Sequence, residues 1–151
     1  MKKNALIILL AIFALSCNSE DYNLEMVDIE SVLITKDNLF GNGGEGIIEQ
    51  NLEITSQSMW NNLISQMNSV NNVSDNFSEI DIDFSQYKVI AIFDKIKNNG
   101  GHSLELNLTG NSENIIVSIN YISPKGNVMS VITQPYHIVK ISNSNLPIIF
   151  E

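Results

Sequence analysis

The chain has 151 residues, with 8 Lys, no Arg, 17 acidic residues and one Cys. Beyond residue 16, six Lys face 17 acids, formally −11, a field that repels phosphate. Nucleic-acid binding and polybasic attachment to anionic lipid are therefore excluded, and one Cys leaves neither an intrachain disulfide nor a thiolate metal cluster.

Met1-Lys2-Lys3-Asn4 is a short basic start, and Ala5 to Leu15 is an unbroken apolar run. The run is shorter than the roughly 18–20 residues that span a bilayer, so residues 1–16 read as a signal peptide. Its removal would leave 135 residues, enough for one domain with one core and a short tether. Ser16-Cys17 directly behind the apolar run resembles a bacterial lipobox. The resemblance implies cleavage before Cys17 and acylation of its thiol and new amine. With about 0.8 kcal/mol per buried methylene, two or more chains would hold the protein on a membrane permanently. No Asp follows Cys17 directly, and Ser19-Glu20-Asp21 resembles the export signal of some Bacteroidota lipoproteins. The expected location is the outer membrane of a Gram-negative bacterium, facing either the periplasm or the cell surface.

Residues 17–27 form an acidic tether from the lipidated Cys17, and residues 28–151 form a single domain. Asp28 to Thr35 reads as a first strand. Asn38 to Gly46 carries four glycines, but the following Ile47 to Ile54 is strand-like, with neither the helix nor the Lys of a phosphate-binding loop. Thr55 and Ser56 are helix N-cap residues ahead of Met59, Trp60, Leu63, Ile64, Met67 and Val70, one apolar stripe at the 3.6 period. Trp60 is expected in the core.

Asn71 to Ser78 is a polar loop. Short strands and turns follow: Tyr87 to Ile96, covered on both faces for part of its length; a turn at Asn98 to Gly101; Ser103 to Leu108; Ile115 to Ile122; a turn at Pro124 to Asn127; Val128 to Ile141, broken by Pro135; and Ile148 to Phe150. Because Pro135 cannot donate to a ladder, it marks an edge, a bulge or a crossing between sheets. The expected fold is α+β, mainly β: an antiparallel sheet or partly open barrel of about 6–7 strands with one amphipathic helix packed on it.

No catalytic set assembles. His102 and His137 lack partners at metal-ligand spacing, so no metal or other cofactor is expected. Asp81 and Asp83 would share a face if Ile80 to Phe84 were a strand, and an exposed polar face is the simpler reading. No Ser lies in a Gly-x-Ser-x-Gly elbow. His102 follows a glycine turn, where it can hydrogen-bond backbone or face water.

The second half carries a recognisable succession. Trp60 at the helix start is followed by Asp83-Phe84, then Val89-Ile90-Ala91-Ile92-Phe93 running into Asn99-Gly100-Gly101-His102-Ser103-Leu104. Pro124 comes next, and finally Thr133-Gln134-Pro135-Tyr136-His137-Ile138-Val139-Lys140. This order and spacing resemble the PrcB-type domain, the family of the protease complex subunit PrcB, over about residues 45–151. The chain departs from that pattern at His102, where an aromatic Tyr is more usual, and at Asp94-Lys95. The resemblance implies a non-catalytic lipoprotein, an accessory subunit that stabilises a secreted subtilisin-like protease. Gly100, Gly101, His102, Gln134, Pro135 and Tyr136 are the candidate partner contacts: glycines admit a close backbone, and Tyr brings apolar area with a polar tip. An obligatory Gly-Gly turn and a core corner at Pro135-Tyr136 are the alternatives. A surface lipoprotein that binds glycan, peptide or metal ion is the rival function.

Overall fold

Val89 to Phe93 is an apolar run without alternation, which only a strand covered on both faces can accommodate. In the computed structural model, which describes residues 25–151, all five side chains are fully buried. Residues 1–24, which include the expected signal peptide, Cys17 and most of the expected tether, lie outside the described residues.

The elements are β1 (Val27–Asp28), β2 (Ser31–Leu39), β3 (Gln50–Ile54), α1 (Gln57–Met67), a 3-10 turn (Val73–Asn76), β4 (Tyr87–Phe93), β5 (Ser103–Gly110), β6 (Ile115–Ile122), β7 (Gln134–Ser142) and β8 (Ile148–Phe150). The fold is α+β and mainly β, and the strands divide into two four-stranded sheets, β1-β5-β6-β8 and β2-β7-β4-β3. All pairings are antiparallel except β6 with β8. The sheets do not close into a barrel.

The molecule has three layers. Val89, Ala91 and Phe93 of β4, with Tyr136 and Ile138 of β7, pack against Trp60, Leu63 and Met67 of α1. The alternate residues Ile90 and Ile92 of β4, with Val139 and Ile141 of β7, meet Leu104 and Leu108 of β5 and Ile115 and Val117 of β6. The β2-β7-β4-β3 sheet is thus the middle layer. Each fully buried aliphatic side chain there contributes about 1.5–3 kcal/mol before conformational entropy is set against it.

Ser56 takes the N-cap of α1, its Oγ accepting from the Met59 amide at 3.4 Å. Trp60 is wholly buried, donates from Nε1 to the Ile80 carbonyl at 2.8 Å and stacks on Phe77 at 5.9 Å between centroids. The apolar stripe is narrower than its spacing suggests: Met59 is exposed, and Val70 lies beyond the helix end and is also exposed. No helix among the described residues is long and apolar enough to cross a membrane.

Several local expectations change. The first strand is two, because the chain leaves one sheet after Asp28 and enters the other at Ser31. Asp81 and Asp83 lie outside any strand. Asp83 instead holds a turn, accepting from the Ser85 amide at 3.0 Å, the Ser85 hydroxyl at 2.6 Å and Gln86 Nε2 at 2.7 Å. Those bonds, the Ser85 hydroxyl first, lower its pKa. Residues 128–132 form a loop, and the strand starts at Gln134.

Pro135 marks neither an edge nor a crossing. It is the second residue of β7, a strand flanked by β2 and β4, and the irregularity in the β2–β7 ladder lies elsewhere, between Leu33 and Thr35. Beyond the Phe93–Tyr136 pair, the Asp94 amide donates to the Pro135 carbonyl at 3.0 Å. Pro135 has no N–H to return to the Asp94 carbonyl, and Gln134 Nε2 donates to that carbonyl instead, at 2.9 Å. The side-chain amide stands in for the missing backbone donor, which lets a proline sit inside the sheet.

Candidate partner-binding end

The strands have a common polarity that gives the domain a near end and a far end. Val27 pairs with Gly110, and Ser31 with Ile141, so the described chain enters where β5 and β7 finish. Leu39 pairs with Gln134, Phe93 with Tyr136 and Ser103 with Ile122, all at the opposite end. The six candidate contact residues lie at that far end, but the structure separates them into two groups.

Gln134, Pro135 and Tyr136 are interior. Gln134 is 2 % exposed and bridges the Ile47 and Asp94 carbonyls, at 3.0 and 2.9 Å. Tyr136 is 1 % exposed, tilts against Phe93 at 5.9 Å between centroids, and has its hydroxyl 3.4 Å from Thr35 Oγ1. Burial raises its pKa, with the Asp37 carboxylate adding to the effect against the opposing Thr35 bond. The partner-contact expectation for these three is corrected: all three are buried, and almost none of their surface is left for a protein partner. Thr-Gln-Pro-Tyr is a core corner.

Gly100, Gly101 and His102 stay at the surface or only partly covered. Gly101 has φ +83°, a left-handed conformation that costs a non-glycine residue about 1–2 kcal/mol. A Cβ there would also lie 2.9 Å from the Pro124 Cβ. The loop between β6 and β7 folds back over the glycines. The Gly100 amide donates to the Met129 carbonyl at 3.1 Å, Lys97 and Thr133 exchange backbone bonds at 2.7 and 3.0 Å, and Thr133 Oγ1 donates to the Asn99 carbonyl at 3.3 Å. His102 is held by Asn99, Nε2 to Oδ1 at 3.2 Å, while its carbonyl accepts from Asn38 Nδ2 at 3.2 Å.

Between the glycines and the loop lies an open cleft of about 270 Å³, lined by Gly100, Gly101, Pro124, Lys125, Asn127, Val128 and Met129. Met129 is 78 % exposed, and Tyr121, Ile122, Val128 and Ile132 are also exposed nearby. Val128 to Ile132, expected as part of a strand, is this loop. The signal that separates them is the break in pairing before Gln134, visible only once β7 is placed.

One ion pair is formed among these loops. Lys97 Nζ meets Asp94 Oδ2 at 2.6 Å, with the Asp94 side chain only 4 % exposed. Burial, with the Asp94 and Glu49 charges nearby, raises the Tyr121 pKa. Lys95, Lys97 and Lys125, half of the six lysines beyond residue 16, lie in these loops.

The second histidine, His137, is buried between the sheets with Nδ1 3.0 Å from the Leu104 carbonyl. Burial pushes its pKa below the usual 6.5, partly opposed by that bond. Among the described residues, no three His, Cys, Asp or Glu side chains come together to hold a metal ion. No family model, no curated protein and no solved structure matches this chain.

Proposed function

We propose that this chain is a non-catalytic, membrane-anchored lipoprotein that binds and stabilises another secreted protein, with Cys17 as the lipid attachment point. In keeping with the PrcB-type resemblance, the partner is a secreted subtilisin-like protease. The observation that carries this reading is the group of exposed apolar side chains around the Gly100-Gly101 cleft, at the end opposite chain entry. A tether at Glu25 leaves that end free. Apolar area with Lys125 at its rim has the composition of a contact patch, with an anchor cleft of the size that accepts one large side chain.

The experiment is affinity capture of the tagged full chain from gently solubilised membranes, in parallel with Met129→Asp and Cys17→Ala. The expected result is a subtilisin-like protease recovered in comparable amount by the native protein. Met129→Asp loses that protease, and Cys17→Ala leaves the membrane fraction. Recovery of the lipoprotein alone, or equal recovery with Met129→Asp, overturns the assignment of this surface. An unchanged membrane fraction for Cys17→Ala overturns the lipid anchor.

A further inference from the structure

A second cleft opens on the other side of the far end, where the end of β2 meets the segment that follows α1. It measures about 270 Å³, and its lining comes from Asp37, Asn38 and Phe40, from Asn71, Asn72, Val73 and Asn76, and from Tyr136 of β7. Gly100 and Met129 do not line it.

Its wall is fastened rather than loose. Asn68, the C-cap of α1, donates from Nδ2 to Ser74 Oγ at 2.7 Å and accepts from the Ser74 amide at 3.0 Å. The Ser78 amide and hydroxyl donate to the Ile34 and Leu33 carbonyls of β2, at 2.9 and 2.8 Å. The 3-10 turn is thereby clamped to the helix on one side and to the sheet on the other. Asp37 pairs across the ladder with Tyr136, so a carboxylate and a buried phenol stand side by side. The Tyr136–Thr35 contact of 3.4 Å is long for two hydroxyls, which usually lie about 2.7–2.8 Å apart.

The lining chemistry selects the ligand. No Lys or His lines the cleft, so a phosphate or carboxylate ligand finds no counter-charge. Asp37 is the sole carboxylate, too few for a divalent cation that takes six to eight oxygens. What remains is a rim of amides, one carboxylate acceptor and Phe40, 54 % exposed beside them. Planar amides and carboxylates present paired positions that match neighbouring hydroxyls, and an aromatic face takes the C–H side of a sugar ring. The volume is below the roughly 300–1,000 Å³ of sites that enclose a drug-sized ligand, which suits one terminal sugar better than an extended polymer.

We propose that the Asp37–Phe40–Asn72–Asn76 cleft is a binding site for a neutral sugar residue at the end of a glycan. Phe40 stacks on the ring, and Asp37 with the asparagines takes its hydroxyls.

The test is saturation-transfer NMR on the full-length protein in deuterated detergent. The probes are the methyl glycosides of glucose, galactose, mannose and N-acetylglucosamine, with N-acetylalanine amide as a peptide mimic. At least one glycoside should receive saturation. Phe40→Ala and Asp37→Asn, both at exposed positions, should each weaken its binding by about tenfold or more. Met129→Asp should leave it unchanged, because that residue belongs to the other cleft. Circular dichroism shows whether each variant keeps its fold; if Phe40→Ala loses its fold, Asp37→Asn decides. No transfer to any glycoside, transfer that survives in the folded variants, or transfer to the peptide mimic alone overturns the proposal.

Discussion

Two segments at the same end of the domain, Gly100–His102 and Gln134–Tyr136, share the features of contact residues yet face opposite ways. In the first, a left-handed glycine and a loop folded back over it leave apolar groups in water. In the second, residues with equal promise for a contact are enclosed: the proline has its missing donor supplied by Gln134, and the tyrosine tilts against Phe93. Composition does not distinguish a contact loop from a core corner. What distinguishes them is whether the backbone hydrogen bonds of the segment lead inward to a sheet or across to another loop.

The largest expected effect lies on the enclosed side. Tyr136→Ala removes a fully buried aromatic, and it should cost about 3–5 kcal/mol, read as a lower denaturant midpoint. A loss near zero would move Tyr136 to the surface group and erase the contrast. Gln134→Ala comes next. It leaves the Ile47 and Asp94 carbonyls without their donor, at about 1–3 kcal/mol for each buried group left unsatisfied, so a loss of at least ~2 kcal/mol is expected. If Gln134→Ala unfolds like the native chain, another donor serves Asp94, and the account of Pro135 fails.

Gly101→Ala should cost ~1–2 kcal/mol through its positive φ, with further loss from the Pro124 contact. Met129→Asp should change stability by no more than about 0.5 kcal/mol, since the side chain is already in water. Thermal melts of these two side by side separate a turn requirement from a surface contact.

The enclosed side also predicts a pH dependence. His137 has its folded pKa lowered by burial, so as pH falls below about 6.5 the unfolded chain takes up a proton that the folded chain resists. Stability should therefore decline on acidification from that point down to the folded pKa. Asp83 and Glu105, also lowered in the fold, add smaller losses only near and below pH 4.5. Denaturation of His137→Gln between pH 7 and 5 should be flat where the native chain slopes; an equal slope would remove His137 as the cause.

Elements that depend on local pattern were legible from residues alone. Ser56 and the Trp60–Leu63–Met67 stripe place α1, Ile115–Ile122 is a strand at its expected bounds, and the apolar run in β4 announces cover on both faces. What stayed hidden depends on partners distant in the chain. The split between β1 and β2 follows from Val27 pairing with Gly110 while Ser31 pairs with Ile141. Val128 to Ile132 has strand composition, but it lies ahead of Pro135, and its loop is committed to Gly100 and Lys97. The sugar-sized cleft draws on residues 37–40, 71–76 and 136, and no spacing in a single segment could reveal it.

The shared polarity of the strands bounds a standoff distance. β5 covers eight residues between the two ends, about 26 Å at the rise of an extended strand. Residues 17–24 would add at most ~29 Å if fully stretched. With Cys17 in a bilayer, both clefts would ride within about 55 Å of it, a reach shared about equally between rigid sheet and slack chain. A partner would be met within a thin slab parallel to the membrane, raising its effective concentration without any added affinity.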